Sequence, residues 1–203
     1  MLQFWEERYG QEQYAYGKEP NQFFKEQIEM LAPGKILFPA EGEGRNSVYA
    51  ALKGHEVHAF DLSSEGKKKA ELLANELGVQ INYIVSSFGK LPYLPKQFDT
   101  IVLIYAHFPA DLKSTFHQDL CKYLKPGGTI IFEAFSKNHI KFNSVNEKAG
   151  GPKDLAMLFS VEELQKDFRD FDIQMLVEEE TELSEGLFHI GQSSVVRFIG
   201  KKK

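Results

Sequence analysis

The chain has 203 residues, 42% hydrophobic and 13% aromatic, with a formal net charge of −5 at pH 7. This composition can bury one sizeable core and excludes disordered and fibrous classes. Basic residues are scattered, with one run at Lys201–Lys203, which argues against a nucleic-acid partner. No window approaches the ~18 apolar residues needed to cross a bilayer, and no basic-then-apolar leader opens the chain. Cys121 is the single cysteine and lies in the apolar-periodic run LKSTFHQDLCKYL, where a buried structural thiol is the expected role. The expectation is a cytoplasmic protein without a membrane partner, as a monomer or homodimer.

In chain order, an aromatic opening segment leads to Pro20, which can start a helix with Phe24, Ile28 and Leu31 on one face before Pro33-Gly34 stops it. KILF is a short buried strand, Asn46 to Lys53 a helix closed by Gly54, and EVHAFD at 56–61 a second strand. Ser63 or Ser64 can cap the next helix, striped by Ala70, Leu73, Ala74 and Leu77, before the strand INYIV at 81–85. FDTIVLIY at 98–105 is a fourth strand. A helix carrying Leu112, Phe116, Leu120 and Tyr123 then reaches KPGG, which turns the chain into the fifth strand, TIIFEAF.

Residues 136–159 are polar and irregular, Ser160 with Glu163 forms a capping box, and strand-like runs follow at 171–183 and 190–199. Strands joined by helices must be mostly parallel, whereas the short last connection permits only an antiparallel hairpin. The expected fold is α/β: a doubly wound, mostly parallel seven-stranded sheet with helices on both faces and a C-terminal antiparallel hairpin at one edge. A single domain then comprises an opening segment and helix (1–34), a core (35–135) and a variable loop, short helix and hairpin (136–203).

Ligands of such sheets bind outside the carboxyl ends of the strands, near the switch in strand order. There the chain reads ILFPAEGEGRN, with Gly42 and Gly44 before a helix N-terminus. Nineteen residues after Gly42, Asp61 ends the second strand, where a carboxylate can accept hydrogen bonds from two ribose hydroxyls. A pyrophosphate is disfavoured beside Glu41 and Glu43, whereas a ligand carrying sulfonium and ammonium groups suits acids and aromatic faces.

The runs ILFPAEGEGRNSVYAALKGHEVHAFDLS, FDTIVLIYAHF and LKPGGTIIFEAF resemble the class I S-adenosylmethionine-dependent methyltransferases. The opening FWEERYGQEQYAYGKEPNQFF is similar to the tellurite-resistance and thiopurine-type group, with further support from GGPKDLAMLFSVEEL. The resemblance implies S-adenosylmethionine as cofactor and a small-molecule methyl acceptor such as a thiol or a tellurium or selenium oxyanion. It implies that Ala40, Gly42 and Gly44 pass the methionine part, that Asp61 binds the ribose and Leu62 the adenine, and that Ser87 and Phe88 add adenine contacts. Relatives often have aspartate where Ser87 stands. Tyr105 and Ala106 would lie beneath the transferred methyl, and Arg45 would pair with the cofactor carboxylate or a neighbouring glutamate.

Phe38 departs from the pattern, since relatives often place there the acid that holds the cofactor's ammonium; Glu41 is the nearest replacement and Glu43 the second. Methyl transfer needs alignment more than a dedicated catalyst. His107 is the candidate general base for an oxygen or nitrogen acceptor, the alternative being that it orders its loop. Trp5, Tyr9, Tyr14 and Tyr16 can form an aromatic lid, while His189 and Arg197 are substrate contacts or simple edge-strand residues. The histidines lack metal-ligand spacing, and there is no GxSxG elbow. A nicotinamide-dinucleotide-dependent oxidoreductase would share the glycines and Asp61, and a non-catalytic adenosine-cofactor-binding module would share Asp61.

Overall fold

The computed structural model describes residues 2–203. Strands β1 (Lys35–Pro39), β2 (Glu56–Asp61), β3 (Asn82–Val85), β4 (Phe98–Ile104), β5 (Leu124–Phe135), β6 (Phe171–Glu185) and β7 (His189–Lys202) form one sheet in the order β3-β2-β1-β4-β5-β7-β6. The first five run parallel, and β7 inserts antiparallel between β5 and β6. This is the expected doubly wound sheet with its terminal hairpin at one edge.

The period-2 pattern of the strands sorts their side chains into two cores. Ile36 and Phe38 join Val57, Ala59 and Val102 on one face, under helices α2 (Gln22–Ile28), α3 (Arg45–Leu52) and α4 (Ser64–Glu76). Leu37, Phe60, Ile101 and Leu103 face the other way, toward α5 (Lys113–Tyr123) and α7 (Val161–Asp167). Helix starts follow local capping chemistry. Asn21 accepts from the Phe24 amide, Ser63 from that of Gly66, and Ser160 and Glu163 complete the capping box.

Several boundaries differ from the sequence reading. The opening segment contains a helix, α1 (Leu2–Tyr9), and α3 starts at Arg45, one residue early. KPGG falls within the bounds of β5 but has no partners on β4: pairing jumps from Phe98–Leu124 to Thr100–Thr129, and the four residues between bulge out with Gly127 at φ 75°. The hairpin strands extend to Glu185 and from His189, because backbone pairing continues where side chains are half exposed and lose their alternation. Residues 136–159 hold a short α6 (Ile140–Asn143) and three 3₁₀ turns. No helix among the described residues is long and apolar enough to cross a membrane.

Candidate functional site

The strand order reverses between β1 and β4, and the chain bends sharply just past the carboxyl end of each. Ala40 (φ 52°) and Tyr105 (φ 51°) both adopt the left-handed conformation, which costs a non-glycine residue about 1–2 kcal/mol. Hydrogen bonds hold both bends, from the Glu41 amide to Phe60 O at 3.2 Å and from the Tyr105 amide to Glu133 O at 2.7 Å. Strain that persists under such support marks a position where the side chain must be aimed. Both residues line a cavity of about 780 Å³, large enough for a nucleoside-sized ligand and a second small molecule.

Most of the residues singled out from the sequence meet in this cavity. Its walls include Trp5, Tyr9, Ala40, Glu41, Arg45, Asp61 and Leu62, together with Ser87, Phe88, Tyr105, Ala106 and His107. Asp61 is pinned from behind, its Oδ2 accepting from the Gly42 amide at 3.1 Å and its Oδ1 from the Ser63 amide at 2.9 Å. Burial raises its pKa against those amides. Trp5 and Tyr9 stack with centroids 5.2 Å apart and form one aromatic wall. Tyr16 also lines the cavity, whereas Tyr14 lies outside the lining and donates to Lys69 O.

Gly42, Glu43 and Gly44 do not line the cavity. A Cβ on Gly42 would come within 2.6 Å of the Tyr9 hydroxyl, and one on Gly44 within 2.5 Å of the Ala70 Cβ. Their glycine character therefore serves the packing of α1 and α4 against the loop, together with the positive φ of 62° and 87°. Glu43 is buried facing away from the ligand space, accepting from the Ala15 amide and from Lys69 Nζ, each at 2.8 Å.

Glu41 differs from Glu43. Its Oε1 accepts from the Ser47 amide at 2.7 Å, so a carboxylate already satisfies the first turn of α3. Burial pushes its pKa to about 7 against that hydrogen bond. Phe38 packs edge-on against Phe24 in the core at 5.6 Å, and does not line the cavity. Arg45 pairs with Glu185 at 2.9 Å and donates to Tyr16 O. The glutamate in contact is thus one 140 residues away in the sequence, at the end of β6.

His107 donates from Nδ1 to Met157 O at 3.1 Å, because a carbonyl can only accept. Its Nε2 is buried without a protein partner, and burial lowers the ring's pKa to about 4 despite that carbonyl. The Tyr105 hydroxyl is also unpartnered; burial, then the nearby Glu133, keeps it protonated. His189 lines the cavity while bonded to Glu185, whereas Arg197 pairs with Glu133 and Glu179 outside the lining.

Three contributors were not found by sequence reasoning. Glu185 sits at the end of β6 and reaches across to Arg45 and Asn21. Arg8 lies between the rings of Phe4 (4.4 Å) and Phe188 (4.0 Å), with no carboxylate partner among the described residues. Asn143, in the irregular segment, is 2% exposed and lines the cavity. The WEERY run singles out Arg8; the other two act over contacts that no local pattern encodes.

The doubly wound sheet, its strained crevice at the switch point, the acid ending β2 and the antiparallel β7 between β5 and β6 can be set beside known proteins. Residues 36–128 match the family described as "Methyltransferase domain". The chain is 32% identical over 111 residues to a ubiquinone biosynthesis O-methyltransferase of Azoarcus sp., a match covering 53% of this chain and 47% of that protein. The matches to the first curated relatives cover 37–48% of their length, so the chain spans at most about half of each. Among solved structures, one described as "Conversion of a Disulfide Bond into a Thioacetal Group during Echinomycin Biosynthesis" superposes with a TM-score of 0.79 at 15% identity, covering 100% of this chain and 92% of that one. TehB from Haemophilus influenzae superposes with a TM-score of 0.70 at 16% identity, covering 89% and 61% respectively. At these identities the superpositions establish the fold.

Proposed function

We propose that the protein transfers a methyl group from S-adenosylmethionine to a small-molecule acceptor. The observation that carries this reading is the Glu41 carboxylate on the first turn of α3. In a dinucleotide-binding sheet a pyrophosphate takes that position, and here it would meet a carboxylate already bonded to the Ser47 amide. A cationic amino-acid tail is the complementary ligand. The donor set fits the cofactor: Asp61 faces the cavity from the end of β2 for the ribose, Leu62 and Phe88 offer apolar surface for the adenine, and Glu41 meets the ammonium. Arg8, free of a carboxylate, is the cation for the ligand's carboxylate, since Arg45 is held by Glu185. The bound cofactor supplies an electrophilic methyl group on a sulfonium. Tyr105 and Ala106, at the bend after β4, orient the acceptor beside it, and the aromatic wall of Trp5 and Tyr9 excludes water.

The test is calorimetry with S-adenosylmethionine, S-adenosylhomocysteine and a nicotinamide dinucleotide, followed by methyl-transfer assay over small acceptors. Binding of the first two but not the third is expected; tighter dinucleotide binding would sink the reading. The pH dependence adds a check on Glu41. Its carboxyl, lifted to about 7 by burial against the Ser47 hydrogen bond, must be ionised to hold an ammonium, which in turn pulls the pKa down. Affinity should therefore rise with pH from 5 to 7, by up to about tenfold per unit, and level off above 7. Glu41→Gln should flatten that limb and weaken binding at pH 7.5.

A further inference from the structure

The wall of the cavity around Phe135 carries unused hydrogen-bonding capacity. The Tyr105 ring lies 4.6 Å from that of Phe135, and the His107 ring stacks on it at 5.7 Å and 15°. Gly151 lies so close that a Cβ there would be 2.7 Å from the Phe135 ring. Its neighbour Gly150 binds Asn143, whose Nδ2 donates to Gly150 O at 3.2 Å and to Pro152 O at 3.0 Å. Both acceptors are carbonyls, so the amide orientation is fixed and Oδ1 is the free end. Asn143 Oδ1, His107 Nε2 and the Tyr105 hydroxyl are all buried without a partner among the described residues, and all three residues line the cavity. Native proteins seldom leave buried polar atoms unsatisfied, and three from residues lining one cavity point to a ligand.

Resting on the methyl-transfer reading, we infer that this wall holds the methyl acceptor, an uncharged molecule with an apolar body and two hydrogen-bond-donating groups, received by His107 Nε2 and Asn143 Oδ1. Two of the three orphaned atoms can only accept while His107 is neutral. An oxyanion brings acceptors and would face both lone pairs. Of the cations lining the cavity, Arg45 is held by Glu185, Lys153 is exposed to solvent beside Glu147, and Arg8, between Phe4 and Phe188, is taken by the cofactor's carboxylate on the reading above. The rings of Phe135 and Phe108 and the side chain of Met157 supply the apolar surface.

The chemistry balances with these groups. The hydroxyl or amine heteroatom bonded to His107 forms its bond to the methyl carbon with its own lone pair. The carbon–sulfur bond breaks, and sulfur keeps that electron pair as a neutral thioether. The heteroatom's proton passes to Nε2 and then to solvent. A weakly basic imidazole suffices, because the proton becomes strongly acidic once the new bond forms.

The experiment titrates the protein saturated with S-adenosylhomocysteine against catechol, phenol, 1,2-dimethoxybenzene and tellurite, and assays methylation of each with S-adenosylmethionine. Catechol should bind at least tenfold more tightly than dimethoxybenzene and accept a methyl group, and tellurite should do neither. Asn143→Ala should weaken catechol at least fivefold and leave phenol and S-adenosylhomocysteine within twofold. His107→Phe, which keeps the ring, should lower kcat for catechol by about 10² or more with the cofactor product still bound; this variant decides the matter if Asn143→Ala fails to fold. Preferential binding or methylation of tellurite, equal binding of dimethoxybenzene, or no binding of any probe to the complex would overturn this inference alone. Failure to bind S-adenosylhomocysteine or S-adenosylmethionine would overturn the methyl-transfer reading and the inference with it.

Discussion

Glu185→Ala is expected to destabilise the protein by about 3–5 kcal/mol, the cost typical of leaving one partner of a buried ion pair alone. Glu185 Oε2 holds the Arg45 guanidinium at 2.9 Å and His189 Nδ1 at 3.0 Å, while Oε1 accepts from Asn21 Nδ2 at 3.0 Å. The Arg45 and Glu185 side chains are only 9% and 13% exposed, so water cannot replace the lost carboxylate. The carboxyl's pKa leads to a similar figure. Burial pushes it up, but Arg45 and His189 outweigh burial and hold it at about 2 against an ordinary 4.5. At about 1.4 kcal/mol per pKa unit, this difference corresponds to about 3 kcal/mol. Because the folded value is the lower one, that stability is present above pH 4.5 and is lost as pH falls toward 2. Urea unfolding at pH 7 and pH 3 checks both points. A loss below about 1 kcal/mol at pH 7 would show that the pair is dispensable, and Arg45→Met with Glu185→Leu should recover most of what the single change removes.

This ion pair also shows where sequence reading stops. The five parallel strands were legible because each is a short apolar run bounded by glycine, proline or a helix cap, and the crossover rule then fixes their direction. The cavity's front wall was legible because the loop after β1 and Asp61 lie at fixed offsets from strand ends. Glu185, however, belongs to a strand whose partner in the site is 140 residues earlier, and nothing around it differs from the acidic run Glu178–Glu180. Asn143 lies in a polar stretch whose burial comes from Gly150 and Gly151 folding over it, with φ of 74° and 76°. The acids of the loop were legible as a pair but not as individuals. The turn at Gly42 and Gly44 sends Glu43 to Lys69 and Ala15, and leaves Glu41 facing the ligand space. Phe38 is explained by the same geometry, because its side chain belongs to the core beside Phe24 and the loop acid two positions beyond the strand stands at the cavity.

Asp61→Ala is expected to weaken S-adenosylhomocysteine binding at least tenfold, since a charge-assisted hydrogen bond contributes about 1.5–3 kcal/mol and 1.4 kcal/mol is a factor of ten. The carboxylate also ties the β1 loop to the start of α4 through the Gly42 and Ser63 amides, so the alanine variant loses alignment of the loop as well as the ligand contact. Asp61→Asn separates the two effects. The asparagine carbonyl can still accept from one of those amides, but the charge and one acceptor are gone. If the charge-assisted contact dominates, asparagine should bind nearly as weakly as alanine while unfolding close to the wild-type denaturant midpoint. If loop alignment dominates, asparagine should recover most of the affinity. Wild-type affinity in both variants would remove Asp61 from the site and, with it, the assignment of the β2 end as the ribose position.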